Sequence, residues 1–130
     1  MKPEITLIIT NWNGSDLLRE CLPTVLKAVK FDHHHEYEVM VIDDCSTDNS
    51  LKILAKEFPE IRAEKTPKNL GFQEANNYAV KLAGSKIVMP MNNDIKLDPK
   101  SLYYLAQHFD NKDTFAVSGK IFAFDQKIGR

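Results

Sequence analysis

The chain has 130 residues, 43% of them apolar and 27% charged, a globular balance that suits one hydrophobic core and a single domain over 1–130. Seventeen basic residues stand against eighteen acidic ones, and a net charge of −1 excludes a general nucleic-acid or membrane-surface binder, which needs a basic excess. No apolar run approaches the roughly 20 residues that cross a bilayer, so no membrane segment is expected in this chain.

The start, Met1-Lys2-Pro3-Glu4, runs directly into a strand-like segment and lacks signal-peptide architecture. Residues 5–9 form a short β-rich run that ends at the polar turn Thr10-Asn11-Trp12-Asn13-Gly14. Ser15 is placed to cap a helix with apolar positions Leu17, Leu18, Cys21, Leu22, Val25, Leu26 and Val29, which Pro23 is expected to bend or split. Residues 31–36, rich in histidine, read as a surface connection. Consecutive histidines point in different directions, and no Cys or carboxylate partner is evident for a metal.

Residues 39–42 are a continuous apolar run, the pattern of a strand buried on both faces, and it stops at Asp43-Asp44. A helix follows, with Ser46 or Thr47 as cap, Leu51, Leu54 and Phe58 on one face and Pro59 at its end. Residues 61–65 are a weak third strand at a sheet edge. After Asn69-Leu70-Gly71 a helix carries Phe72, Ala75, Asn76, Ala79, Val80 and Ala83, with Gly84 at its C′ position. Residues 87–89 are a fourth strand whose regular pairing Pro90 should end. Asp98-Pro99 opens a helix with Leu102, Leu105, Ala106 and Phe109 inward, and residues 115–124 read as a fifth strand.

Strands alternating with helices in this order specify an α/β fold, an open and mainly parallel sheet with helices on both faces. Ligands of such sheets bind beyond the carboxyl ends of the strands, where the strand order reverses. Thr10 to Asn13, Asp43-Asp44 and Asn92-Asn93-Asp94 all fall at such ends, and Asn69-Leu70-Gly71 opens a helix on the same rim. An aspartate there accepts hydrogen bonds from a base or ribose, and Trp12 offers a face for stacking. Asn92 to Asp94 offers oxygen ligands to a hard divalent cation that takes phosphates as further ligands. These features describe a nucleoside-diphosphate site, and neither GxGxxG nor GxxxxGK[ST] is present to suggest another one.

Four motifs stand in order: Thr10-Asn11-Trp12-Asn13, then Val41-Ile42-Asp43-Asp44-Cys45-Ser46-Thr47-Asp48, then Asn69-Leu70-Gly71-Phe72 with Asn76-Asn77, and Met91-Asn92-Asn93-Asp94. In that order and spacing the chain resembles the N-terminal half of glycosyltransferase family 2, in its rhamnosyltransferase-like branch. The resemblance implies a GT-A, Rossmann-like fold, cut short of completion, and a nucleotide-diphosphate sugar donor such as a UDP- or dTDP-sugar. It further implies a divalent metal (manganese or magnesium), inverting transfer, and a glycan or lipid-linked acceptor, as in polysaccharide and cell-wall biogenesis.

Carried over, Thr10 and Trp12 line the base pocket with Asn11 and Asn13 beside them; Asp44 contacts the base and Asp43 lies next to it. Asn69, Gly71, Phe72 and Asn76 face the nucleotide or the sugar. Asn92-Asn93-Asp94 takes the place of the family's DxD motif, with Asp94 as the metal ligand. Asn92 removes one negative charge from that motif, and Cys45 replaces the usual glycine. No catalytic base is assigned within 1–130, and the base is expected beyond residue 130, so the chain alone should bind nucleotide without turnover. Unpaired thiols and the lack of a leader suit a cytoplasmic location, at a membrane face or free.

Two other classes compete. A nucleotidyltransferase of similar topology would carry a glycine-rich basic loop after the first strand, where this chain has no Lys or Arg. A non-catalytic receiver-like module would place a phosphorylatable aspartate after the third strand, and none is there. For Trp12 a core position and a stacking face both remain open, and for Asp44 a turn-capping role stands beside a ligand role.

Overall fold

A computed structural model describes residues 3–122. Four strands, β1 (Ile5–Asn11), β2 (Tyr37–Asp43), β3 (Arg62–Lys65) and β4 (Ile87–Asn92), alternate with α1 (Ser15–Phe31), α2 (Ser50–Glu57), α3 (Phe72–Leu82) and α4 (Ser101–Gln107). A 3-10 turn, His108–Asp110, follows α4. The strands form one parallel sheet in the order β3-β2-β1-β4. β1 is central and every one of its residues is buried.

Side chains alternate across the sheet and define the two layers. Ile5, Leu7 and Ile9 of β1, with Val39 and Val41 of β2, pack against Leu18, Leu22 and Val25 of α1, Ile53 and Leu54 of α2, and Leu102 and Ala106 of α4. Ile8, Met40 and Ile42 turn the other way, onto Ala75 and Ala79 of α3. Two alanines let that helix lie close to the strands. Helices therefore cover both faces, as the alternating elements predicted. The chain winds outward from β1 through β2 to β3, then returns to place β4 on the opposite side of β1. The reversal puts the tips of β1 and β4 side by side at the topological switch point.

Several local expectations are corrected. Pro23 lies inside α1 and does not split it; the missing N–H falls on the exposed side, where water can satisfy the carbonyl one turn earlier. Ser15 is the first helical residue rather than a cap, and neither Ser46 nor Thr47 caps α2. One residue does both jobs: Asp48 Oδ2 accepts the Ser15 amide at 3.0 Å and Asp48 Oδ1 accepts the Ser50 amide at 2.9 Å. Burial opposes the charge, yet the hydrogen bonds from Ser50 and Ser15 outweigh it and hold Asp48 below the usual carboxylate range. Both helix N-termini favour a negative charge there.

β4 does not stop at Pro90 but stays in register with β1 to Asn92. Among the described residues β4 is an edge strand, the place where a proline is tolerated. Asp98 makes the turn ahead of α4, accepting the Lys100 amide at 2.8 Å, and the helix itself begins at Ser101. On α3, Phe72 and Val80 are exposed, and Gly84 follows the C-cap without a left-handed φ. Residues 115–122 form no strand, since they pair with neither edge of the sheet, and Phe115 is 97% exposed; residues 123 and 124 lie outside the described residues.

The histidine-rich connection does have a carboxylate partner. Asp32, 4% exposed, accepts the Tyr37 hydroxyl at 2.6 Å and the His34 amide at 2.9 Å, and it sits 2.8 Å from His35 Nδ1. The carboxylate ties the loop to the start of β2. No helix among the described residues is long and apolar enough to cross a membrane.

Candidate functional site

At the switch point the strand tips enclose an open cleft of about 380 Å³, lined by Thr10, Trp12, Asp44, Asn69, Gly71, Phe72, Asn92, Asn93 and Asp94. Thr10, next to last in β1, is buried, and its hydroxyl has no hydrogen-bond partner. Trp12, in the turn after β1, is 61% exposed, so it is not a core aromatic and presents its ring to the cleft. Phe72, at the first position of α3, is 64% exposed on the same opening.

Asp44 is 3% exposed and holds the far wall in place. Its Oδ1 accepts the Thr66 hydroxyl and the Leu70 amide, each at 2.8 Å, and its Oδ2 accepts the Gly71 amide at 2.8 Å. The Asn69 side chain closes the ring by donating to the Asp44 carbonyl at 3.1 Å. Asp44 is thus a strand-end anchor as well as a cleft residue, and Oδ2 keeps acceptor capacity. Gly71 adopts φ +78° and ψ 166°, a region open essentially only to glycine, and its conformation points the amide at Asp44.

Four residues expected at the site stand away from the cleft wall. Asp43 is fully buried and accepts the Ser46 amide at 2.9 Å and the Asn11 amide group at 3.0 Å. Asn11, also fully buried, bonds Asp43 on one side and receives the Asn93 side chain at 2.9 Å on the other. Asn13, at φ +51°, accepts the Thr47 amide at 2.7 Å and so locks the β1–α1 turn to the β2–α2 turn. Asn76 donates to the Phe72 carbonyl at 2.9 Å and lines a neighbouring hollow with Gln73, Asn77, Pro90 and Met91. Phe72 and Asn92 form the wall between that hollow and the cleft.

Two supporting residues had no sequence signal of their own. Thr66 reaches Asp44 only because β3 pairs with β2. Gly14 leaves room for the Asn11–Asn93 contact: a Cβ there would overlap the Asn93 amide nitrogen and lie 2.6 Å from Asn11 Oδ1. Cys45 sits at φ +63°, the left-handed region, where glycine carries no steric cost. Its thiol lies 3.4 Å from the Thr66 carbonyl.

Asp94 is exposed, just past the tip of β4, and lines the same cleft as Asp44. Among the described residues no three His, Cys, Asp or Glu side chains gather into a metal-binding set. The oxygen donors here fit a hard divalent ion only in company with a ligand's phosphates, since such ions are held by one or two carboxylates plus phosphates and water.

Comparison with known proteins bears on the family and the fold. Over 118 residues the chain is 29% identical to a poly-β-1,6-N-acetyl-D-glucosamine synthase of Staphylococcus aureus, covering 88% of this chain and 28% of that protein. A poly(ribitol-phosphate) β-glucosyltransferase of Bacillus spizizenii is 28% identical over 103 residues, covering 76% and 16% of the two chains. The chain spans less than a third of the length of these relatives. Among solved structures, S. aureus TarS 1-349 in complex with UDP-GlcNAc superposes with a TM-score of 0.71 at 27% identity, over 85% of this chain and 31% of that one. The mannosyltransferase PcManGT of Pyrobaculum calidifontis, in complex with GDP-Man and Mn²⁺, shares the fold with a TM-score of 0.61 at 22% identity, over 79% and 31% of the chains. Residues 6–130 match the family described as Glycosyl transferase family 2, and the chain belongs to that family.

Proposed function

We propose that this chain is the donor-binding part of an inverting glycosyltransferase, acting on a UDP- or dTDP-sugar. The observation that carries the reading is the convergence of Thr10, Trp12, Asp44 and Asp94 on one cleft at the switch point. Trp12 stacks on the base, and Thr10 and Asp44 supply polar contacts at its edge. Asn92 accepts a ribose hydroxyl, and Asn69, Gly71, Phe72 and Asn76 face the nucleotide or the sugar. Asp94 holds a divalent ion, manganese or magnesium, together with the donor's diphosphate. The bound ion supplies charge stabilisation to the departing diphosphate.

Asn92 in place of an aspartate keeps the hydrogen-bonding oxygen and drops one charge, as in the rhamnosyltransferase-like branch. The acceptor is a glycan or lipid-linked hydroxyl, deprotonated by a carboxylate that does not belong to residues 1–130. The transfer takes place on the cytoplasmic side, free or at the membrane face. The UDP-GlcNAc bound to TarS supports a UDP-sugar donor, and the names of the poly-β-1,6-N-acetyl-D-glucosamine synthase and the poly(ribitol-phosphate) β-glucosyltransferase support a cell-wall or surface polysaccharide as the product class. Family membership leaves the nucleotidyltransferase and receiver readings without support.

Calorimetric titration of UDP and dTDP, each with and without Mn²⁺, tests this reading. Saturable binding is expected, strengthened by Mn²⁺, and Asp94→Ala should weaken it and remove the Mn²⁺ effect. No heat with either nucleotide on folded protein would refute it.

A further inference from the structure

Resting on the nucleotide-site reading, we infer that Asn93 is a positioning residue: it tethers the Asn92–Asp94 tip of β4 to the buried Asn11 of β1, and so sets where Asp94 meets the donor's diphosphate. The orientation of the tether follows from chemistry. A carboxylate only accepts, so the Asn11 amide must turn its NH₂ toward Asp43 Oδ2, 3.0 Å away. The same NH₂ reaches Ser46 Oγ at 3.3 Å. Asn11 Oδ1 is then left facing Asn93, which must donate, and does so at 2.9 Å. Polarity therefore runs in one direction from Asn93 through Asn11 to Asp43, across three neighbouring strand tips.

Three further observations support a positioning role. Asn11 and Asp43 are both fully buried, so the anchor at the inner end of the tether is fixed by the core. Asp43 is itself held by the Ser46 amide at 2.9 Å. Gly14 lacks the Cβ that would occupy the space of this contact. By contrast Asp94 is exposed, with no such anchor of its own among the described hydrogen bonds. An exposed carboxylate next to a tethered residue gains from the tether a reduced range of positions, and ordering of this kind from an outer shell governs metal affinity.

The experiment compares Asn93→Asp and Asn93→Ala with the unaltered chain, measuring Kd for uridine and for UDP with Mn²⁺, alongside thermal stability. Aspartate keeps an oxygen and adds charge but cannot donate to Asn11 Oδ1. A direct ligand would therefore tolerate or profit from Asn93→Asp, whereas a tether is broken by it. Both variants are expected to lose roughly tenfold in Mn²⁺-dependent UDP affinity while uridine affinity falls by much less, and to melt somewhat lower because Asn11 Oδ1 is left buried without its donor. Gly14→Ala, whose Cβ displaces the same contact while leaving Asn93 itself unsubstituted, should reproduce the loss and shift the backbone NMR signals of Asn92 and Asp94. Equal or tighter Mn²⁺–UDP binding by Asn93→Asp would overturn the inference, as would unshifted Asn92 and Asp94 signals in Gly14→Ala. Failure of the unaltered chain to bind either uridine or UDP would instead strike the nucleotide-site reading, while the NMR comparison would still decide the tether.

Discussion

The Asp44 carboxylate accepts the Gly71 amide at 2.8 Å across 27 residues of chain, and this bond joins the end of β2 to the start of α3. The geometry requires φ +78° at Gly71, where a Cβ would meet no atom within 4 Å. The position is thus restricted by its backbone and not by crowding. Gly71→Ala should destabilise the chain by about 1–3 kcal/mol through that conformation alone. It should also weaken UDP binding, because the displaced amide releases the Asp44 wall. Urea unfolding monitored by circular dichroism checks the first effect, and a loss below about 0.5 kcal/mol would contradict it.

Cys45 offers the opposite case. A side chain at φ +63° carries a steric penalty of about 1–2 kcal/mol, and the thiol's contact with the Thr66 carbonyl, at 3.4 Å, is weak compensation. Glycine would remove the penalty but give back about 0.5–1 kcal/mol through the entropy of the unfolded chain. Cys45→Gly is therefore expected to stabilise the fold by up to about 1 kcal/mol, read as a higher urea midpoint at unchanged m. A lower midpoint would show that the thiol contact outweighs the strain.

Asp32 predicts a stability change in acid. Burial on its own would raise its pKa, but hydrogen bonds from the Tyr37 hydroxyl, the His34 amide and the His35 ring hold it below the ordinary carboxylate value. Burial and the same carboxylate push the Tyr37 phenol upward. A folded pKa lower than the unfolded value of about 3.9 means that the unfolded chain binds more protons in that window. Stability from Asp32 is accordingly full above the unfolded pKa and is lost as pH falls through the folded one. Asp32→Asn should be less stable than the unaltered chain at neutral pH, and the gap should narrow in denaturant titrations taken below about pH 4. A gap that is constant with pH would contradict the assignment.

The layers were legible because local pattern carries them. The unbroken apolar run at residues 39–42 has the pattern of a strand covered on both faces, and Ala75 and Ala79 mark a helix that lies close. The cleft was legible because strand ends in a parallel sheet share one edge, so Thr10, Trp12, Asp44 and Asp94 meet by topology. Which polar residues turn inward was not legible. Asn11 and Asp43 look as ligand-like in sequence as Thr10 and Asp44, yet each is fully buried by the partner that another strand brings to it. Asp48 could not be read as a cap for two helices, because one of its partners is 33 residues away. Residues 115–122 have the composition of a strand, but composition cannot supply the neighbour that a strand needs, and none pairs with them.

Trp12 is the only tryptophan in the chain, so its emission reports on the cleft without labelling. Titration of UDP in the presence of Mn²⁺ should quench that emission to saturation, with a weaker midpoint in Asp94→Ala. Emission that stays constant through the titration, on protein shown to be folded, would contradict a base stacked on Trp12 and with it the donor-binding role.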